Sequence, residues 1–274
     1  ACGIFGGNEQ EVAPAAMALE VFHNFTLLHD DVMDKAEVRR GRPTVHIQWN
    51  ENTAILSGDQ MMIEAYKLLA EVPESKLHKV LRLFNEMATE ICEGQQYDVD
   101  FESQEHVTIE EYLKMIRLKT SVLLATALQI GSYLAGANEA QQEALYQFGI
   151  NVGLAFQIQD DILDVWGDPK TFGKAVGGDI SCNKKTYVYL TAQKLADDEL
   201  AEELHQWYGS VLDDNTEKIA AVKGIFEQLN VRAACEAVVE DYTQKALLIL
   251  DTLPQNAATE QLRQLANKLN TRKD

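Results

Sequence analysis

Proline is scarce in this sequence, with five residues in 274. That scarcity leaves room for long uninterrupted helices. Clear strand alternation is hard to find anywhere in the chain, which argues against a sheet-based fold. Cysteine is rarer still. Cys2, Cys92, Cys182 and Cys235 show no CxxC spacing, which speaks against a zinc site or a disulfide frame and for free thiols in a reducing compartment. No apolar run reaches the roughly 18 residues that a membrane span needs. No secretory signal peptide is visible. These features lead to the expectation of a cytoplasmic protein. Bases are outnumbered, 24 against 43 acids, for a net charge of −19. A chain of that charge repels nucleic acid and anionic membrane surfaces unless it carries a local basic patch.

What the chain does have is helical periodicity in nearly every long segment. Apolar residues make up 46%, an ordinary share for a globular core. The spacing predicts helices over 14–33, 53–70 and 74–93. Thr108 with Glu111 forms a capping box, and the helix it opens carries Ile109, Tyr112, Leu113, Ile116, Leu123 and Leu124 on a continuous stripe. Asn138 with Gln141 opens another, running to about Val165. The segment 166–186, rich in glycine and proline, reads as a loop. Helices resume near Tyr187, with breaks near Asn215 and at Pro254. No composition shift or repeat marks a boundary. The expectation is one all-α domain over 1–274. The opening "ACGIFGGN" reads as a helix end and loop, so an N-terminal helical segment is expected to be missing.

The chemistry concentrates in "LLHDDVMDKAEVRRG", residues 27–41. Asp30 and Asp34 stand at i and i+4, about 6 Å apart on one helix face. Like charges at that spacing weaken a helix unless something neutralises them. The same D-D-x-x-D spacing returns at Asp160, Asp161 and Asp164, again near the end of an apolar helix. Its face runs back through Gln157 and Gly153. Carboxylates are hard oxygen ligands suited to Mg²⁺, which favours phosphate oxygens as partners. Two such clusters would hold several ions and clamp a diphosphate, with Arg39, Arg40, Lys119, Lys174, Lys184 and Lys185 covering the remaining oxygens. The alternative is a solvated acidic helix end. Asp213-Asp214-Asn215-Thr216-Glu217 has similar spacing but no Arg-Arg-Gly after it, and reads as such a loop. Asp197-Asp198 reads as surface.

With "HDDVMDKAEVRRG", "FQIQDDILD" and "GDPKTFGKAVGGDI" on the page, the chain resembles the trans-polyprenyl diphosphate synthase family. "GQQYD" at 94–98 and "RLKT" at 117–120 lie between the two acidic motifs as that family has them. The resemblance covers almost the whole chain. It implies an isoprenoid synthase helical bundle around a deep central active-site cavity. It also implies a Mg²⁺-dependent prenyltransferase that condenses isopentenyl diphosphate with an allylic diphosphate. Three Mg²⁺ ions are expected, with Mn²⁺ as a substitute. Asp30 and Asp34 would bind two of them. Asp160 would bind the third, with Asp161 and Asp164 supporting it. Arg39, Lys119, Lys184 and Lys174 would contact the allylic diphosphate, and Arg40 and His23 that of isopentenyl diphosphate. Thr120 and Gln157 would present oxygens to the allylic cation. Gln95 and Asp98 would orient the metal from further out. A homodimer is the family's usual state.

Taken alone, each residue has a plainer reading. His23 could be a core histidine, Lys119 a snorkelling lysine beside a helix-interior Thr120, Gln157 a buried amide, and Asp98 a loop acid. Phe22, Phe25 and Phe156 could be ordinary core. The family's Gly-Lys-x-x-Arg-Pro segment does not precede Asp30 in this sequence. Phe25 and Thr26, about one turn below Asp30, would set product length. In the family that the chain resembles, an aromatic at the first of these positions blocks elongation; with a small residue at the second and no insertion in the motif, the resemblance implies a C15 or C20 farnesyl- or geranylgeranyl-type product. The competing readings are a terpene cyclase of the same fold, a subunit of a heteromeric synthase, and a helical protein that only binds Mg²⁺ or Ca²⁺.

Overall fold

The structure, a computed structural model, describes residues 1–168, 176–210, 212 and 214–270, with the side chain of Asn270 left out. A 3₁₀ turn at Cys2–Phe5 ends on Gly6 in the left-handed region. Helix α1 then runs Glu9–Met33. It begins five residues before the sequence-based start at Pro14. Asn8 caps it by accepting Gln10 N, and Glu9 and Glu11 stand in its first turn, where acids suit the helix dipole. Pro14 lies inside the helix and leaves the Gln10 carbonyl without its i+4 donor.

A tight hairpin follows, β1 (Val38–Arg39) pairing antiparallel with β2 (Arg42–Pro43). Arg40 and Gly41 both take positive φ, 52° and 73°, the backbone that a two-residue hairpin loop requires. The hairpin adds two short strands to a chain in which clear strand alternation is hard to find. Two-residue strands are too short to show alternation. Short α2 (Val45–Gln48) leads into α3 (Glu51–Leu69), which packs along α1.

Helix α4 spans Glu74–Ser103, ten residues beyond the expected end, so "GQQYD" is helical. Helix α5 (Ile109–Ile116) opens on the expected capping box of Thr108 with Glu111. Arg117–Ser121 is a π-helical turn, and α6 (Val122–Leu134) continues from it. The π turn breaks the continuous stripe expected across this segment. Tyr112 and Ile116 are buried, whereas Leu124 is 39% exposed.

Helix α7 (Glu139–Trp166) opens on the second capping box, Asn138 with Gln141, and packs against α6 and α12 along its length. Within the expected loop lies a single helical turn, α8 (Gly178–Ser181). Helices α9 (Tyr187–Leu195), α10 (Asp198–Gly209), α11 (Thr216–Gln228), α12 (Val231–Leu250) and α13 (Ala257–Asn270) complete the chain. Phe22, Phe84, Met87, Ile116, Ile158 and Ile162 are among the side chains buried in the main core, and a second cluster gathers Ile4, Leu145, Phe148 and Leu250. The all-α expectation holds. None of the described helices is long and apolar enough to cross a membrane.

Candidate active site

The first acidic cluster closes the C-terminal end of α1, and the hairpin folds back against it. Arg39 Nε donates to Asp31 Oδ1 at 2.7 Å, and its terminal nitrogen reaches Asp30 Oδ2 at 3.3 Å. Burial raises the Asp31 carboxyl above its ordinary range, and the Arg39 bond pulls it part of the way back. Arg40, one residue on, is exposed at the turn. It lies close enough to His23 to act on it. Burial lowers the His23 imidazole below its ordinary value, Glu20 opposes this, and Arg40 and Arg39 push it lower.

The π turn carries Lys119 and Thr120. Lys119 Nζ donates to Asp98 Oδ2 on α4 at 2.6 Å and to Asp30 Oδ1 on α1 at 3.1 Å. Burial alone would lower its ammonium pKa, but Asp30 and Asp98 outweigh that and hold it above the ordinary lysine value. The close approach depends on glycine at two points. A Cβ on Gly94 would overlap the Lys119 backbone nitrogen, and one on Gly153 would come within 2.5 Å of Ser121 Cα. The two glycines grip the π turn from opposite helices. That is a physical reason for a glycine inside α4, where it weakens a helix, and π turns concentrate where a side chain must be re-aimed.

The second cluster sits on α7 and divides into unlike parts. Asp161 is fully buried. Its Oδ2 accepts Tyr112 OH at 2.6 Å and Tyr187 N at 3.0 Å, and its Oδ1 accepts Gln157 Nε2 at 3.3 Å. Burial pushes this carboxyl well up, Asp179 adds to the push, and the Tyr112, Tyr187 and Gln157 bonds oppose it. Asp164 Oδ2 accepts Asp179 N at 3.0 Å, and its carbonyl accepts Gly177 N at 2.7 Å, which pins α8 to α7. Asp160 is half-buried on the same helix. The three acids thus differ from one another: Asp161, expected to support the metal from beside Asp160, has protein donors on both oxygens, and Asp164, expected in the same role, receives Asp179 N on Oδ2.

Lys184 joins the two sides. Its ammonium lies 3.5 Å from Asp34 Oδ2. Burial would depress its pKa, but Asp34, Asp98, Asp179 and Asp30 overcome that and hold it well above the ordinary value. Lys185 does not face the acids; its Nζ donates to the Phe101 carbonyl at 2.8 Å, near the end of α4. Lys174 lies outside the described residues. Asp197 caps α10 and Asp214 accepts Thr216 N at 2.9 Å; of the run read as a solvated loop, Thr216 and Glu217 open α11 and Asp213 lies outside the described residues.

Thr120 Oγ1 donates to Gln157 Oε1 at 3.2 Å. Gln95 lies beside Met33, with its amide 3.7 Å from the sulfur. Below Asp30, the Phe25 ring stands edge-on to Phe22 at 5.3 Å and to His29 at 4.8 Å. Thr26 turns its hydroxyl back onto the His23 carbonyl at 2.8 Å, so what it offers beyond the helix is apolar.

Tyr112, Asp179 and Tyr187 are the residues that sequence reasoning missed. Tyr112 sat in an apolar stripe, where a tyrosine is indistinguishable from core. Among the described residues no three acidic, histidine or cysteine side chains converge as a ready cage. The donor chemistry nonetheless fits Mg²⁺, which keeps waters and takes one or two carboxylates plus phosphate oxygens rather than a full protein cage. Arg39, Lys119 and Lys184 now balance the acids that would do this.

Residues 1–229 match the sequence model of the polyprenyl synthetase family. A short chain isoprenyl diphosphate synthase of Methanocaldococcus jannaschii is 44% identical over 202 residues, 73% of this chain and 62% of that protein. The chain thus spans about three fifths of the length of that relative. A crystal structure of a geranylgeranyl pyrophosphate synthase superposes with a TM-score of 0.94 at 46% identity, covering 100% of this chain and 85% of the other. The polyprenyl synthase of Caulobacter crescentus, in complex with calcium and isoprenyl diphosphate, superposes with a TM-score of 0.91 at 30% identity, covering 100% and 82%.

Proposed function

The chain belongs to the polyprenyl synthetase family, and from that premise we propose that it is a trans-prenyltransferase joining isopentenyl diphosphate to an allylic diphosphate. The observation that carries this reading is Lys184 lying among Asp34, Asp30, Asp98 and Asp179. A diphosphate entering with its cations exchanges partners with groups already paired, so no charge is left bare. Asp30, Asp34 and Asp160 would hold Mg²⁺, which supplies charge neutralisation of the leaving diphosphate.

This chain's own residues do the rest. Arg39, Lys119 and Lys184 take the oxygens of the allylic diphosphate as its C1–O bond breaks, stabilising charge that develops only then. Arg40 and His23, whose charges act on one another, receive the isopentenyl diphosphate. Thr120 and Gln157 present oxygens near the allylic carbon. The C4 alkene carbon attacks that cation, and a proton leaves to the departed diphosphate. The helical walls exclude water that would quench the cation. Phe25 and Thr26 form the floor, which favours a C15 or C20 product. Asp98 acts through Lys119.

A homodimer belongs to the same proposal. Ile47, Trp49, Ile55, Leu56 and Ile63 are 40% to 67% exposed on α2, α3 and their junction, an apolar patch of the kind that marks an interface. A cytoplasmic location accords with four free cysteines.

The test is release of inorganic diphosphate from dimethylallyl diphosphate with Mg²⁺. This reading requires release that depends on isopentenyl diphosphate. Release from geranyl diphosphate without it, with a cyclic hydrocarbon as product, points to a cyclase. No release under any condition points to a non-catalytic subunit or a simple metal binder.

A further inference from the structure

Asp161 stands apart from its neighbours in the second acidic cluster. As the carboxylate, with the Tyr187 N–H and Tyr112 O–H both donating to Oδ2, Asp161 only accepts hydrogen bonds. With Tyr112 OH and Tyr187 N on Oδ2, Oδ1 receives the Gln157 amide nitrogen at 3.3 Å. This fixes which way round the Gln157 amide sits: its nitrogen faces Asp161, so its oxygen faces Thr120. The Thr120 hydroxyl must then give its proton to Gln157 Oε1, 3.2 Å away. Its lone pairs are left for another partner. Each link leaves the next one choice.

We propose that Asp161 is a positioning residue that acts through Gln157 to orient the Thr120 hydroxyl, so that oxygen lone pairs rather than a proton meet the electron-poor carbon of the substrate. The inference rests on the trans-prenyltransferase reading above. It gives Asp161 a task other than metal ligation. Tyr112 and the π turn belong to the same device, since one holds the far side of Asp161 and the other presents Thr120.

An isosteric substitution separates the roles. In Asp161→Asn the new amide keeps an oxygen for Tyr112 OH and Tyr187 N and turns an NH₂ toward Gln157. The Gln157 amide must then flip. Its nitrogen faces Thr120, and the Thr120 proton turns away into the site. Volume and bond count barely change, while the polarity of the chain reverses.

The experiment measures kcat, KM, the Mg²⁺ half-saturation point and thermal stability for Asp161→Asn, Thr120→Ala and the double variant. The expected result for Asp161→Asn is a fall in kcat on the order of 10²-fold, the size seen when one pre-aligned polar group is lost. Its Mg²⁺ half-saturation stays within about twofold, and its cost largely vanishes in the Thr120→Ala background. A large rise in the Mg²⁺ requirement, with kcat recovered at saturating Mg²⁺, would make Asp161 a metal ligand and overturn the proposal. So would additive losses in the double variant. If Asp161→Asn does not fold, Tyr112→Phe removes one donor from Asp161 with Asp161 and Gln157 in place; its loss in kcat must likewise shrink in the Thr120→Ala background, and additive losses would overturn the proposal. Absence of isopentenyl-dependent turnover in the unaltered protein would instead defeat the prenyltransferase reading itself.

Discussion

Asp30 and Lys119 stand 89 positions apart in the sequence and meet at 3.1 Å. That contact ties the end of α1 to the π turn between α5 and α6, and Asp98 holds the same ammonium at 2.6 Å from α4. Asp30→Ala removes an oxygen proposed to hold Mg²⁺ while leaving Lys119 with Asp98 and Arg39 with Asp31. Turnover is therefore expected to fall by at least 10²-fold, roughly, while the melting point moves little, as for a partly exposed pair worth about 1 kcal/mol or less. Near-normal turnover would remove Asp30 from the metal site. A collapsed melting curve would make its role structural.

Phe25 tests the floor. Its ring packs on Phe22 and His29 below Asp30. Phe25→Ala opens space beneath the allylic chain, so product length is expected to increase by one or more isoprene units. Chromatography of the dephosphorylated products checks this, and an unchanged distribution would rule out Phe25 as the floor.

Gly94 tests the π turn. A methyl group there would overlap the Lys119 backbone nitrogen, and neither backbone can yield without moving the other. Gly94→Ala is expected to destabilise the protein by about 1–3 kcal/mol, as overpacking does, and to lower turnover as Lys119 and Thr120 shift. Denaturant unfolding with parallel activity measures both. Wild-type values for both would mean that the contact carries no strain.

His23 gives a pH test. Its folded pKa lies below the ordinary 6.5, through burial, Arg40 and Arg39, against Glu20. Between the folded pKa and 6.5 the unfolded chain binds more protons than the folded one, so stability rises with pH there. The contribution is fully present above 6.5 and is lost as pH falls through the folded value. Replacing His23 by Gln is expected to flatten the decline in melting point between about pH 6.5 and 5 relative to the unaltered protein. Parallel curves would show that His23 titrates normally.

Much of this was legible in the sequence because it is local. Capping boxes at Thr108 and Asn138 depend on residues three apart, and the D-D-x-x-D pairs announced themselves by repetition. The π turn did not, because an apolar stripe reads the same in sequence whether or not a helical turn holds one extra residue; the break shows only in the fold, where Leu124 faces outward. Tyr112 and the split between Asp160 and Asp161 were hidden for another reason. Which of two adjacent acids points inward is decided by α5 and α9, elements that reach it only in the fold. The hairpin at 38–43 was missed because its strands are two residues long.

The most direct measurement of the central claim is product identification after incubation with Mg²⁺, dimethylallyl or geranyl diphosphate and labelled isopentenyl diphosphate. The account predicts labelled linear all-trans C15 or C20 diphosphates that vanish when Mg²⁺ is chelated. A cyclic hydrocarbon, or no labelled product at all, would contradict it.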